Sequence, residues 1–162
     1  MQRLGPIDLQ TAVREWAEHE AAGRWAHLNV TAKHVLLVRD PIVREITDPR
    51  DVYRARIDPS ERCRIRLGTN DRTIATWRVE IQSDTNPNHA ASRKHYARLT
   101  ASDTPINTFG MLVLVETDSD DALIHVIDGF HRAAAWDYHC DRGNLYPIHV
   151  NAIVHRRLGI RF

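Results

Sequence analysis

The sequence predicts an α/β domain in which a small mixed sheet is flanked by helices, and three observations carry that prediction. Apolar runs of strand length recur along the second half of the chain; stretches with helical spacing or helix-forming composition lie between them; and at residues 122–141 a strand, a tight turn and a helix follow one another directly. The 162 residues are near the usual size of one domain and long enough to bury a core. Lys and Arg total 22 against 21 for Asp and Glu, so bulk charge demands neither nucleic acid nor an acidic membrane surface. Cys63 and Cys140 have no Cys-x-x-Cys spacing, no secretory leader precedes them, and no apolar run reaches membrane-spanning length. The expectation is a cytoplasmic protein with no membrane partner.

In chain order, Asp8 can cap a helix beginning at Leu9, where Leu9, Val13, Trp16 and Trp25 form an apolar stripe that faces a core. Residues 33–38 read as a strand stopped by Asp40-Pro41. Asp48-Pro49 reads as the cap and first residue of a short helix over 51–57. Between Arg62 and Gln82, Cys63, Ile65 and Leu67 alternate with Arg62, Arg64 and Arg66; 68–71 make a turn; then Ala75, Trp77, Val79 and Ile81 alternate with Thr76, Arg78 and Glu80. The alternation predicts a hairpin with one buried face. Its arginine row suits a solvated edge or, alternatively, a phosphate backbone. A loop over 83–87 leads to a helix over 88–99, and strands at 111–116 and 122–127 form an antiparallel pair through an acidic turn at 118–121. That turn lacks the calcium-loop pattern and reads as solvated. A strand at 145–150 and a basic, frayed tail from His155 complete the chain.

The informative stretch is Asp128-Gly129-Phe130-His131-Arg132 followed by three alanines. Gly129 permits a tight turn and close approach of a ligand, and the first backbone N–H groups of the helix lack intrahelical acceptors. The helix start is therefore a seat for phosphate, to which Arg132 adds a forked donor and His131 a donor that can also move a proton. Asp128 either caps the helix or accepts a proton. His131, His139 and Cys140 lack the paired spacing of a zinc site, and no metal site is expected. P-loop, dinucleotide and nucleophile-elbow motifs are absent from the sequence.

Asp-Gly-Phe-His-Arg resembles the signature turn of the ParB/sulfiredoxin superfamily, in which Gly-x-His-Arg opens a helix that contacts nucleotide phosphates. Tyr146-Pro147-Ile148 is similar to the strand that follows in that family, and Thr104-Pro105-Ile106 to the Pro-Ile pair that begins the preceding strand. The resemblance covers the second half of the chain. It implies a ParB/sulfiredoxin-like, nucleotide-binding core over 71–162, with 1–70 an extension that packs a helix and a hairpin on it.

It further implies that phosphates of ATP, ADP or CTP, with Mg2+, sit on Gly129, Phe130, His131 and Arg132. Ser92 and Lys94 of the preceding helix are further nucleotide contacts, and His131, Arg132 and Asp128 are the catalytic candidates of a kinase or NTPase. Glu116, Asp128 and His125 are the candidate bases. Sulfiredoxins carry their reactive cysteine where this chain has Phe130, and Cys140 lies at the far end of the helix, so sulfinic-acid reduction is not expected. The alternative is a nucleotide-switched module that binds DNA or a partner protein through Arg62, Arg64 and Arg66, or a weak nuclease. The helix-turn-helix of the chromosome-partitioning members has no counterpart in this sequence.

Overall fold

A computed structural model of the chain describes residues 1–22, 28, 31, 51–67, 72–83, 87–101, 112–117 and 123–155. The elements are β1 (Gln2–Pro6), α1 (Leu9–Ala22), β2 (Asp51–Ile57), a 3-10 helix (Pro59–Arg64), β3 (Ile65–Leu67), α2 (Ile74–Ser83), a 3-10 turn (Pro87–His89), α3 (Ala90–Thr100), β4 (Leu112–Thr117), β5 (Ile124–Asp128), α4 (Phe130–Asp141) and β6 (Ile148–His155). The strands form one six-stranded mixed sheet in the order β1-β2-β6-β4-β5-β3. β4 pairs parallel with β6, and β3 parallel with β5; the other neighbours are antiparallel. The class is thus mixed α and β, as the sequence predicts. Three of the strands, β1 to β3, come from residues 1–70, so the expected extension shares a continuous sheet with the second half.

The core follows from alternation. Tyr53, Ala55 and Ile57 of β2, Leu112 and Leu114 of β4, Ile124 and Val126 of β5, and Ile148 and Val150 of β6 gather in one buried cluster with Ala133, Trp136 and Cys140 of α4. Those last three lie at i, i+3 and i+7, the face of a helix laid on a sheet. The other side of α4, Ala134 and Ala135, meets Ile81 of α2 and Tyr96 of α3, with Trp77, Leu99 and Tyr138 packed around them. α4 is therefore a middle layer, covered on both sides, which explains its run of three alanines followed by Trp136, all fully buried. Trp136 keeps its indole N–H satisfied by donating to the Tyr146 carbonyl at 2.7 Å.

The helix from Leu9 forms, with Asp8 accepting from the Thr11 amide at 2.9 Å. Its buried face is Ala12, Trp16, Ala17 and Glu20, with Leu9 and Val13 only half-buried. Arg54 alternates onto the face of β2 opposite Tyr53 and pairs with Glu15 of α1, so α1 lies beside that face. The β4–β5 pair and the helix before β4 also form as expected. The expected strand at 33–38, the Asp48 cap, the 118–121 turn and the tail beyond His155 lie outside the described residues.

Two expectations are corrected. Residues 51–57 are strand β2, not a helix: Tyr53, Ala55 and Ile57 bury one face at period two against β6. The hairpin between Arg62 and Gln82 does not form. Its first arm is a 3-10 helix followed by the three residues of β3, and β3 pairs with β5 instead. Its second arm is α2, in which Ile74 and Ile81 are buried and Trp77 half-buried, while Val79 is 56% exposed. Burial at three- and four-residue steps against α4 outcompeted the alternation.

Candidate functional site

β5 ends at Asp128, and Gly129 turns the chain into α4 with φ of 95°, in the left-handed region where a glycine is favoured. The first intrahelical bond runs from the Ala133 amide to the Gly129 carbonyl at 2.9 Å, so the amides of Phe130, His131 and Arg132 have no acceptor within the helix. The turn and helix start thus form as expected. The flank of Gly129 is filled by protein, however. A Cβ there would lie 2.4 Å from Leu112 Cδ2, 3.1 Å from Arg132 Nε and 3.2 Å from Arg132 Nη2. The close approach that glycine permits is made by the Arg132 guanidinium itself.

That guanidinium faces α1. Its Nη2 donates to Glu20 Oε1 and to Asp128 Oδ2, each at 3.3 Å, and its Nη1 lies 2.9 Å from His19 Nε2. Arginine has no acceptor, so His19 Nε2 accepts and the ring is neutral with its proton on Nδ1. Burial and the neighbouring Arg132 charge both hold the His19 pKa below its ordinary value. Asp128 Oδ2 also accepts from Trp16 Nε1 at 2.8 Å. The cluster of Trp16, His19, Glu20, Asp128 and Arg132 is well covered, with 12% of the Arg132 side chain and 5% of the Glu20 side chain exposed.

His131 points elsewhere. Its ring lies 6.0 Å from that of Trp77 on α2 and 5.5 Å, edge-on, from that of His95 on α3. The two basic residues of the motif therefore diverge, His131 toward α2 and α3 and Arg132 toward α1. Phe130 packs against the main core. On α3, Lys94 is exposed and Ser92 half-buried; it is His95, not either of these, that reaches the start of α4.

Of the candidate bases, only Asp128 lies at the turn. Glu116 accepts from Tyr53 Oη at 2.6 Å and lies near Arg3 and Arg64. It is three residues along β4 from Val113, the partner of Asp128, or roughly 10 Å at strand rise. His125 pairs in register with Val115 and Arg66 and alternates away from the α4 face. Cys140 is buried, which raises its thiol pKa.

The arginine row is engaged within the chain. Arg62 meets Asp141 at 2.8 Å and Asp137 at 3.4 Å, Arg64 meets Glu61 at 3.0 Å, and Arg66 donates to the carbonyls of Cys63 and Ile65. Among the described residues no group of three or more His, Cys, Asp or Glu side chains is arranged to hold a metal ion, and no helix is long and apolar enough to cross a membrane.

Sequence reasoning found Asp128, Gly129 and Arg132 but missed Trp16, His19 and Glu20. The signal available was weak: Trp16 and Glu20 stand one helical turn apart, but nothing local links them to residues more than a hundred positions away. Compared with protein-family models, curated proteins and solved structures, the chain gives no significant match.

Proposed function

We propose that the chain binds a nucleotide with its phosphates at the start of α4, and acts as a ParB/sulfiredoxin-like phosphotransferase or NTPase. The observation that carries this reading is the position of Arg132. Its guanidinium lies against Gly129 at the positive end of α4, where three amides lack intrahelical acceptors. Asp128 beside it suits a magnesium ion of the kind that is held by one or two carboxylates together with substrate phosphates. Such an ion would offset phosphate charge and orient the phosphoryl group. Asp128 would hold it or take a proton from an acceptor, while Arg132 would grip phosphate oxygens.

A second reading draws on a specific observation. With Leu112 and Arg132 filling the flank of Gly129, the cluster also works as a clamp fixing α1 to the sheet. The DNA- or partner-binding alternative has less support, because Arg62, Arg64 and Arg66 are already occupied.

A melting panel with ATP, ADP, CTP and GTP, with and without magnesium, separates these readings. A nucleotide at 100 times its Kd adds about 2.7 kcal/mol, which at about 2–4 °C per kcal/mol for a chain of this size is a rise of about 5–10 °C. The rise should require magnesium and vanish in Arg132→Ala. No shift with any nucleotide at millimolar concentration would leave the clamp standing and the enzyme reading refuted.

A further inference from the structure

Resting on the phosphate-site reading above, we propose that Glu20 is a built-in occupant of the anion site, and that α1 is a strap which a phosphate-bearing ligand must displace. Trp16, His19 and Glu20 stand at i, i+3 and i+4 on one face of α1, and all three end on the β5–α4 turn: Trp16 on Asp128, His19 and Glu20 on Arg132. Glu20 is a carboxylate 4% exposed, set on the guanidinium at the positive end of α4. A carboxylate that accepts from an arginine Nη at a helix start makes one of the contacts that a phosphate oxygen would make there.

Charge decides which group leaves. Arg132 faces two carboxylates, Asp128 and Glu20, while His19 is neutral because its Nε2 accepts from Arg132. A nucleotide's phosphates carry more negative charge than one magnesium ion offsets, and the cluster already carries one negative charge in excess, so a phosphate joins it only if a carboxylate departs. Asp128 is fixed by its place at the end of β5, where it pairs with Val113 of β4. Glu20 belongs to a separate helix and can withdraw with it. Ligand binding should therefore transfer Arg132 from α1 to the phosphate and loosen α1.

The test uses the full chain, its Glu20→Gln variant and each panel nucleotide with magnesium, reading Kd by calorimetry and hydrogen exchange of the α1 amides. Expected are binding about tenfold tighter in Glu20→Gln, equivalent to about 1.4 kcal/mol, and faster α1 exchange in the wild type when the nucleotide is bound. If the wild type binds but Glu20→Gln binds no better, or if α1 exchange slows on binding, the strap is overturned while the site reading survives. If neither protein binds any nucleotide, both fall. The exchange arm needs only the wild-type chain, so misfolding of the variant does not spare the proposal.

Discussion

Replacing Gly129 with alanine tests the geometry on which the site depends, and its cost can be worked from the structure. The backbone sits at φ of +95°, where an L side chain meets its own carbonyl at a cost of about 1–2 kcal/mol. The new methyl would also lie 2.4 Å from Leu112 Cδ2, and Leu112 is only 2% exposed and packed in the main core. Forcing a methyl into a filled interior costs about 1–3 kcal/mol. Together these come to about 3 kcal/mol, a large part of the about 5–15 kcal/mol that stabilises a typical domain. At about 2–4 °C per kcal/mol, melting should fall by about 6–12 °C. The methyl also presses on Arg132 Nε and Nη2, at 3.1 and 3.2 Å, and the guanidinium's contacts to Glu20 and Asp128 are already 3.3 Å long.

The two contributions separate in a double-mutant cycle with Leu112→Val, which withdraws the clashing methyl. Urea unfolding should show Gly129→Ala costing about 1–2 kcal/mol less in the Leu112→Val background than in the wild type. Additive behaviour would mean that the flank of Gly129 is open. A Gly129→Ala protein within about 0.5 kcal/mol of wild type would refute the left-handed turn altogether.

Two further outcomes follow from the charged clusters. His19 has its pKa held below the ordinary 6.5, so the unfolded chain takes up its proton first; stability from this residue is intact above that value and falls as pH drops through it, until the folded ring also protonates. Urea midpoints at pH 7.5 and 5.5 should therefore diverge less in His19→Gln, whose amide oxygen still accepts from Arg132, than in the wild type; parallel profiles would contradict the assigned contact. At the other end of α4, Asp137→Asn should cost about 1–2 kcal/mol, less than the about 3–5 kcal/mol for breaking an isolated buried pair, because Asp141 remains within 2.8 Å of Arg62 and 2.5 Å of Arg78. Adding Asp141→Asn should then cost more than it does alone, and strict additivity in urea unfolding would dissolve the network.

How much was legible depends on whether a residue's partner is local. The strand, glycine turn and helix at Asp128–Arg132 could be read because the apolar run, the turn pair and the helix formers adjoin one another. α2 departs from the expected strand because its sequence satisfies two periods at once. Trp77, Val79 and Ile81 alternate, but Ile74, Trp77 and Ile81 also stand at three- and seven-residue steps, and only the packing of α4 against that face selects the helix. β2 is the reverse case, in which Pro49 points to a helix start while the alternation of Tyr53, Ala55 and Ile57 describes the strand that forms. β1 gave no signal at all. It is an edge strand containing Gly5 and Pro6, mostly exposed, and it forms by pairing with β2. The α1 contacts to the turn are tertiary, spanning 112 and 113 positions, and no window of sequence contains them.

The charges on α4 run against its own dipole at both ends. Arg132 stands in the first turn, where a cation is disfavoured, and Asp141 in the last, where an anion is disfavoured, each opposition costing about 0.3–1 kcal/mol. Each is then answered from outside the helix: Glu20 and Asp128 bring anions to the positive end, and Arg62 and Arg78 bring cations to the negative end. A helix whose own residues oppose its dipole needs these partners, and the arrangement binds α1 at one end and the 3-10 helix with α2 at the other. The two ends differ in what can replace the partner. Asp137 is buried and desolvation raises its pKa, so at the lower end α4 supplies the innermost carboxylate itself, with Asp141 exposed beside it. At the upper end the requirement is only for negative charge beside Arg132 and three amides without helical acceptors. Glu20 of α1 brings that charge to Arg132, and under the function proposed above a phosphate oxygen would take its place.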